Sequence, residues 1–278
     1  EDQYLTCVTW GPEEKYVYIA LVNREQDHVW LNQYDAATGK LMRTLFEEKD
    51  EQYVEPEHQM VFLPNKPKEF LWYSERDGFQ HLYHYDTSGK LIKQLTSGNW
   101  VVKDILGFSS DGKSLTVSGT GAVPTEKHVY KVNLAKGGQK QITKTAGTHR
   151  AMVNSSGKFV ITNYSNINTP RVIEIIDDKS KKVKLLHLAP NHLVDYNVPT
   201  VEQFDIKAKD GTPLYCTMLK PSDFSEKKKY PVLVYVYGGP RVQIVTNSWM
   251  GGTRSWMHWL AEQGFIVFQM DSRGSENR

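Results

Sequence analysis

Residues Lys68–Thr96 read KEFLWYSERDGFQHLYHYDTSGKLIKQLT. The order is a short apolar strand, a second strand rich in aromatics, then a turn and a third strand. The same order returns in Lys15–Phe46 (KYVYIALVNREQDHVWLNQYDAATGKLMRTLF), Lys113–Thr143 (KSLTVSGTGAVPTEKHVYKVNLAKGGQKQIT) and Lys158–His187 (KFVITNYSNINTPRVIEIIDDKSKKVKLLH). The four segments end on Leu45-Phe46, Leu95-Thr96, Ile142-Thr143 and Leu186-His187, at spacings of 50, 47 and 44 residues. A period of about 40–50 residues is that of a four-stranded propeller blade.

Turn chemistry supports the repeat. Thr38-Gly39, Asp77-Gly78, Ser88-Gly89, Asp111-Gly112 and Ser156-Gly157 stand where hairpins require positive φ. Tyr130, Val132 and Leu134 alternate with Lys131 and Asn133, the period of a half-buried strand. No helical periodicity interrupts the four segments. The spacing predicts about four propeller blades, ending near residues 46, 96, 143 and 187; a β-sandwich with coincidental spacing is the alternative.

Near Pro199 the pattern changes. Val201–Ala208 and Pro213–Lys220 read as a hairpin turning at Asp210-Gly211, and a polar loop leads to an apolar run, Val232–Tyr237, ended by Gly238-Gly239-Pro240. Trp256, Trp259 and Leu260 fall at i, i+3, i+4 on a helix, with Gly264 at its C-terminal cap. Core packing of these tryptophans, and of Trp249, is favoured over a specificity pocket. A second apolar strand, Phe265–Met270, follows. Strand, helix and strand with fully apolar strands is the opening of a parallel α/β sheet. The expected division is a partial propeller over 1–200 and the start of an α/β domain over 201–278.

The stretch Tyr230-Pro231-Val232-Leu233-Val234-Tyr235-Val236-Tyr237-Gly238-Gly239-Pro240, then Trp259–Phe265, then Asp271-Ser272-Arg273-Gly274-Ser275, resembles the prolyl oligopeptidase clan of serine peptidases. Within it the chain is most similar to bacterial dipeptidyl peptidase IV, a likeness shared by Glu75–Tyr83. The resemblance implies an eight-bladed propeller capping an α/β-hydrolase domain, with a Ser-Asp-His triad between them. It also implies release of N-terminal dipeptides carrying Pro or Ala at the second position. On this reading the chain is a piece of a longer homodimeric, periplasmic or otherwise extracytoplasmic enzyme. Its triad lies beyond Arg278, and the Glu pair that recognises a substrate N-terminus lies upstream of Glu1. An unfinished sheet of this kind is also expected to self-associate through its open edge.

Acyl transfer to serine needs a nucleophile, a base, an orienting carboxylate and an oxyanion hole. No G-x-S-x-G elbow occurs in the chain; Gly107-Phe108-Ser109-Ser110-Asp111 comes nearest and reads as a hairpin turn. The chain alone is therefore expected to be inactive. The resemblance assigns one catalytic group here. Tyr237 matches the tyrosine whose hydroxyl donates to the tetrahedral intermediate, with Gly238, Gly239 and Pro240 supporting its loop. Glu13-Glu14 and Glu47-Glu48 lack the flanking residues of the family's Glu pair and read as solvated charges.

Composition narrows the remaining classes. Thirty-four Lys and Arg against 32 Asp and Glu give no electrostatic footprint for nucleic acid. The apolar runs are too short to span a bilayer. Cys7 and Cys216 form neither a disulfide framework nor a metal motif. His81 and His84 fall on opposite faces of a strand, so no metal site is expected. No cofactor is called for, and the expected partners are peptide substrates. Two readings stay open beside the dipeptidyl peptidase: an acylaminoacyl peptidase or prolyl endopeptidase of the same clan, and a non-catalytic propeller interaction module.

Overall fold

The computed structural model describes residues 2–239 and 241–277. The first repeat forms one antiparallel sheet, β1 (Gln3–Trp10), β2 (Tyr16–Asn23), β3 (His28–Asp35) and β4 (Leu41–Lys49), in sequence order. The second repeats it with β5 (Val61–Leu63), β6 (Lys66–Ser74), β7 (His81–Asp86) and β8 (Leu91–Gln94). The third supplies β9 (Val102–Phe108), β10 (Ser114–Thr120), β11 (Lys127–Asn133) and β12 (Gln139–Gln141). The fourth supplies β13 (Thr148–Val153), β14 (Phe159–Asn166), β15 (Thr169–Asp177) and β16 (Lys182–Leu188). A parallel pairing of Lys127 with Thr148 joins β11 to β13, so these last two repeats share a sheet.

Each repeat is a four-stranded meander, as the period requires, and the predicted turn glycines Gly39, Gly78, Gly89, Gly112 and Gly157 all have positive φ. The second and third repeats carry the same side-chain lock. His81 Nδ1 lies 3.0 Å from Thr96 Oγ1, which also takes the Leu82 N–H. His128 Nδ1 lies 2.9 Å from Thr143 Oγ1, which takes the Val129 N–H. Each threonine thus closes the last strand of its repeat onto the histidine strand, and both pairs are buried. The core of the first two repeats runs through Tyr18, Val29, Leu31, Phe70, Trp72 and Tyr85.

After the repeats, β17 (Thr200–Lys207) and β18 (Pro213–Lys220) form the expected hairpin. They continue into a four-stranded sheet with β19 (Val232–Tyr235) and β20 (Ile266–Met270), ordered β17-β18-β20-β19. The β19–β20 pair is parallel, and helix α1 (Ser255–Glu262) lies between them in sequence. This is the βαβ connection that the two apolar runs predict. Gly264 caps the helix at φ +87°, with its N–H on Ala261 O.

Two expectations are corrected. The run Val232–Tyr237 is not a fully buried strand: β19 stops at Tyr235, and Val232, Val234 and Val236 are exposed. Only Leu233 and Tyr235 pack, against the cluster of Leu219, Met257, Ala261 and Val267. β19 is an edge strand, and nothing among the described residues covers the face that carries Val232 and Val234. The helix also turns differently from the predicted stripe. Met257 and Ala261 face the sheet, whereas Trp256 is exposed beyond an edge contact with Tyr235 and Trp259 is 64% exposed.

The chain forms two compact units: residues 1–117 with 131–140, and residues 118–130 with 141–278. The loop between β10 and β11 therefore belongs to the same unit as the fourth repeat and the last sheet.

Candidate functional site

Tyr237 stands two residues beyond the end of β19, with 52% of its surface exposed, and is not part of the hydrophobic interior. Among the described residues none hydrogen-bonds its hydroxyl. Gly239 lies against its ring: a Cβ there would come within 2.5 Å of Tyr237 Cε1, so any larger residue would displace the tyrosine. Gly238 meets no such neighbour. Pro240, the third residue of the predicted support, lies outside the described residues.

The chain that follows, residues 241–248, has no helix or strand, yet it is fastened from several directions. Arg241, at φ +56°, donates its N–H to Gly274 O at 3.2 Å. Asp271, buried just past the end of β20, accepts the N–H of Ile244 on Oδ1 at 2.8 Å and that of Val245 on Oδ2 at 3.2 Å. Gln269 reaches Ile244 O, and Asn277 reaches the Gln243 side chain. An ionised carboxylate accepting two backbone N–H groups is a strong fastening for irregular chain.

The same segment is held by the repeats of its own unit. Gln243 Nε2 donates to Pro124 O at 2.9 Å. Asn247 uses all four of its polar groups. Its N–H goes to Thr125 O (2.7 Å) and its side-chain amide to Glu126 Oε1 (2.8 Å); its carbonyl accepts from Thr148 Oγ1 (3.0 Å) and its Oδ1 from the Ile167 N–H (3.2 Å). Glu126 is fixed in turn by His128 Nε2 at 3.0 Å. The hydrogen bond from His128 holds the Glu126 carboxyl below its ordinary value against the opposing effect of burial.

Other candidates are resolved as structural. His81 is buried between Thr96 Oγ1 and Gly98 O, and His84 faces Glu69 at 2.8 Å. Among the described residues no group of three or more His, Cys, Asp or Glu could hold a metal ion. Glu13 and Glu14 are exposed in a turn, as expected. Glu48 is not the solvated loop charge that its sequence suggests. It lies on β4, its side chain mostly buried, paired with Arg76 and accepting from Ser74 Oγ at 2.8 Å. Burial pushes its carboxyl up against the stabilising pull of that guanidinium. Arg76 itself lies 4.3 Å from the centroid of the Tyr83 ring.

Sequence reasoning did not find Asp271, Asn247 or Glu126 as parts of this site. A carboxylate directly after the apolar run Phe265–Met270 was an available signal for Asp271. Nothing local marks Asn247 or Glu126, because their partnership spans 121 residues.

Repeated four-stranded meanders followed by a βαβ unit are the pattern of propeller blades leading into an α/β sheet. The chain belongs to the family described as the dipeptidyl peptidase IV (DPP IV) N-terminal region, whose model matches residues 1–171. A Bacteroides ovatus crystal structure, provisionally assigned as a dipeptidyl aminopeptidase IV, superposes at TM-score 0.92 with 39% identity, over 100% of this chain and 42% of that one. Porphyromonas gingivalis dipeptidyl peptidase 4 superposes at TM-score 0.84 with 26% identity, over 100% of this chain and 39% of that one. Human dipeptidyl peptidase 8 is 27% identical over 99% of this chain and 37% of its own length. The chain thus spans about two-fifths of these relatives. Among the described residues no helix is long and apolar enough to cross a membrane.

Proposed function

We propose that this chain is the later propeller and the opening of the hydrolase domain of a serine-type dipeptidyl peptidase. Residues 1–200 would be the propeller part and 201–278 the hydrolase part. In this reading the Tyr237 hydroxyl is an oxyanion donor for the tetrahedral intermediate formed on a peptide carbonyl. Support comes from the likeness to dipeptidyl peptidases along the whole chain, and from one feature of the site: Tyr237 is exposed on a loop whose following backbone is fastened at residues 241, 244 and 245. Electrostatic stabilisation of this type requires a donor in place before charge develops, because reorganising it during reaction would cost much of the benefit. A hydroxyl on a mobile tether would not meet that requirement. Homodimerisation and an extracytoplasmic location belong to the same proposal by analogy.

The experiment is Tyr237→Phe in the longer enzyme, assayed with a Gly-Pro chromogenic dipeptide. Loss of one oxyanion donor should lower kcat about 100- to 1,000-fold while leaving KM nearly unchanged. Wild-type kcat in that variant would exclude the role. The 278-residue chain has no G-x-S-x-G elbow and should neither turn over this substrate nor take up a fluorophosphonate label.

A further inference from the structure

We infer that Asn247 and Glu126 form a positioning pair that holds the Tyr237 loop against the loops of the third and fourth repeats. The inference rests on the oxyanion reading of Tyr237 and adds the residues that set its place. Nine residues separate Tyr237 from Asn247, and the described part of that stretch has no strand or helix. Its position is therefore set by what grips it. The grip from the last sheet comes through Asp271, Gln269 and Asn277. The grip from the repeats converges on one residue: Asn247 meets Thr125 and Glu126 before β11, Thr148 on β13, and Ile167 in the β14–β15 turn. Three separate stretches of the repeats thus register on a single asparagine.

Glu126 is oriented for this task. One carboxylate oxygen takes the Asn247 amide, while the other is held by His128 Nε2. The Thr143 hydroxyl oxygen accepts the Val129 N–H, leaving its hydrogen for His128 Nδ1. His128 can then present Nε2–H to Glu126. Val129, Thr143, His128, Glu126 and Asn247 form a continuous chain of hydrogen bonds, running from the threonine lock of the third repeat to the tyrosine loop. Glutamine at position 126 would keep an acceptor for Asn247. Its amide would face His128 Nε2, and the imidazole can accommodate that by carrying its proton on Nδ1 instead. Alanine at 126 would keep neither contact.

The test is a set of variants of the longer enzyme. Asn247→Ala and Glu126→Ala should each lower kcat about 10- to 100-fold, the scale of a misplacement of about 1 Å, with KM within about twofold of wild type. Glu126→Gln should restore kcat to within about threefold of wild type. Combining Asn247→Ala with Tyr237→Phe should add almost nothing to the loss from Tyr237→Phe alone, because the two residues act through one hydroxyl. If Tyr237→Phe lowers kcat but Asn247→Ala is harmless, or multiplies with it in the double variant, the positioning role is overturned. A Glu126→Gln variant as poor as Glu126→Ala would also overturn it. Full activity in Tyr237→Phe would instead bring down the oxyanion reading itself. Should Asn247→Ala fail to fold, the contrast between Glu126→Gln and Glu126→Ala carries the test.

Discussion

The Asp271 carboxylate holds the backbone of Ile244 and Val245 through one oxygen each, at 2.8 and 3.2 Å. The carboxylate and Val245 are both buried, whereas Ile244 is half-buried, so it is the Val245 N–H that cannot turn to water instead. Asp271→Ala should leave the buried Val245 donor unsatisfied, at about 1–3 kcal/mol, with a smaller loss at the half-buried Ile244 donor. Asp271→Asn keeps one acceptor and turns an NH2 toward the second donor, so it should fall between. Hydrogen exchange at the Ile244 and Val245 amides reads the effect directly. Unchanged protection in Asp271→Ala would show that the segment is held elsewhere.

Glu48 and Arg76 supply a second prediction, because Arg76 reaches in from an exposed turn to neutralise a carboxylate whose side chain is mostly buried. Arg76→Ala should destabilise the first unit by about 1–3 kcal/mol, between the values for an exposed and a buried pair, by leaving the mostly buried Glu48 carboxylate without its cation. Glu48→Gln combined with Arg76→Met should recover most of that loss, since glutamine can still accept from Ser74. The sign with pH follows from the direction of the shift. A carboxyl raised by burial contributes stability below its ordinary value of 4.5, and loses it as pH rises through the folded value. Arg76→Ala should thus be weakest at neutral pH and partly regain stability on acidification. Urea midpoints at two pH values check both signs; equal losses at both would contradict them.

The architecture was legible where the physics is local. Turn glycines, strand alternation and the repeat spacing are properties of neighbouring residues, and they located three strands in every repeat. The first strand of each repeat was not located. β5 is only three residues long, and β1, β9 and β13 lie in stretches whose apolar residues do not mark a strand as clearly. Tyr237 was singled out through resemblance and not through pattern. Glu48 misled because an acidic run reads as solvent-facing, and only the fold brings Arg76 to it. Trp256 and Trp259 misled because i, i+3, i+4 spacing names an apolar face without saying what covers it.

Gly89 offers a test of how the first two repeats fit together. Its φ is +94°, and a Cβ there would stand 1.9 Å from Leu45 O, a backbone atom that cannot swing aside. Gly89→Ala combines a left-handed backbone penalty of about 1–2 kcal/mol with overpacking of about 1–3 kcal/mol. Gly39 has similar φ, +69°, but nothing within 4 Å, so Gly39→Ala should show only the backbone part. Thermal midpoints of the two variants measured side by side separate the terms. Equal shifts would mean that the Leu45 contact carries no weight.

His149 makes the second unit sensitive to acid. Its Nε2 lies 2.8 Å from Thr145 O, which can only accept, so that nitrogen carries the proton. Nδ1 then accepts from the Thr162 hydroxyl at 2.9 Å, and the ring stacks on Tyr164 with His128 beside it. A neutral imidazole satisfies every contact, whereas a charged one must bear burial next to a second imidazole. Burial, reinforced by His128 and opposed by the Thr145 hydrogen bond and Glu126, lowers the His149 pKa from 6.5 to about 4. A lowered value means that the unfolded chain binds the proton more readily. The associated stability is fully present above about pH 6.5 and is lost as pH falls toward 4, amounting to about 3 kcal/mol over that window. Glutamine at this position can donate to Thr145 O and accept from Thr162 without titrating. His149→Gln should therefore lose about 3 kcal/mol less than wild type between pH 7.5 and pH 4, even if it is less stable at the upper end. Chemical denaturation across that range measures the difference, and an NMR titration of His149 near 6.5 would remove its basis.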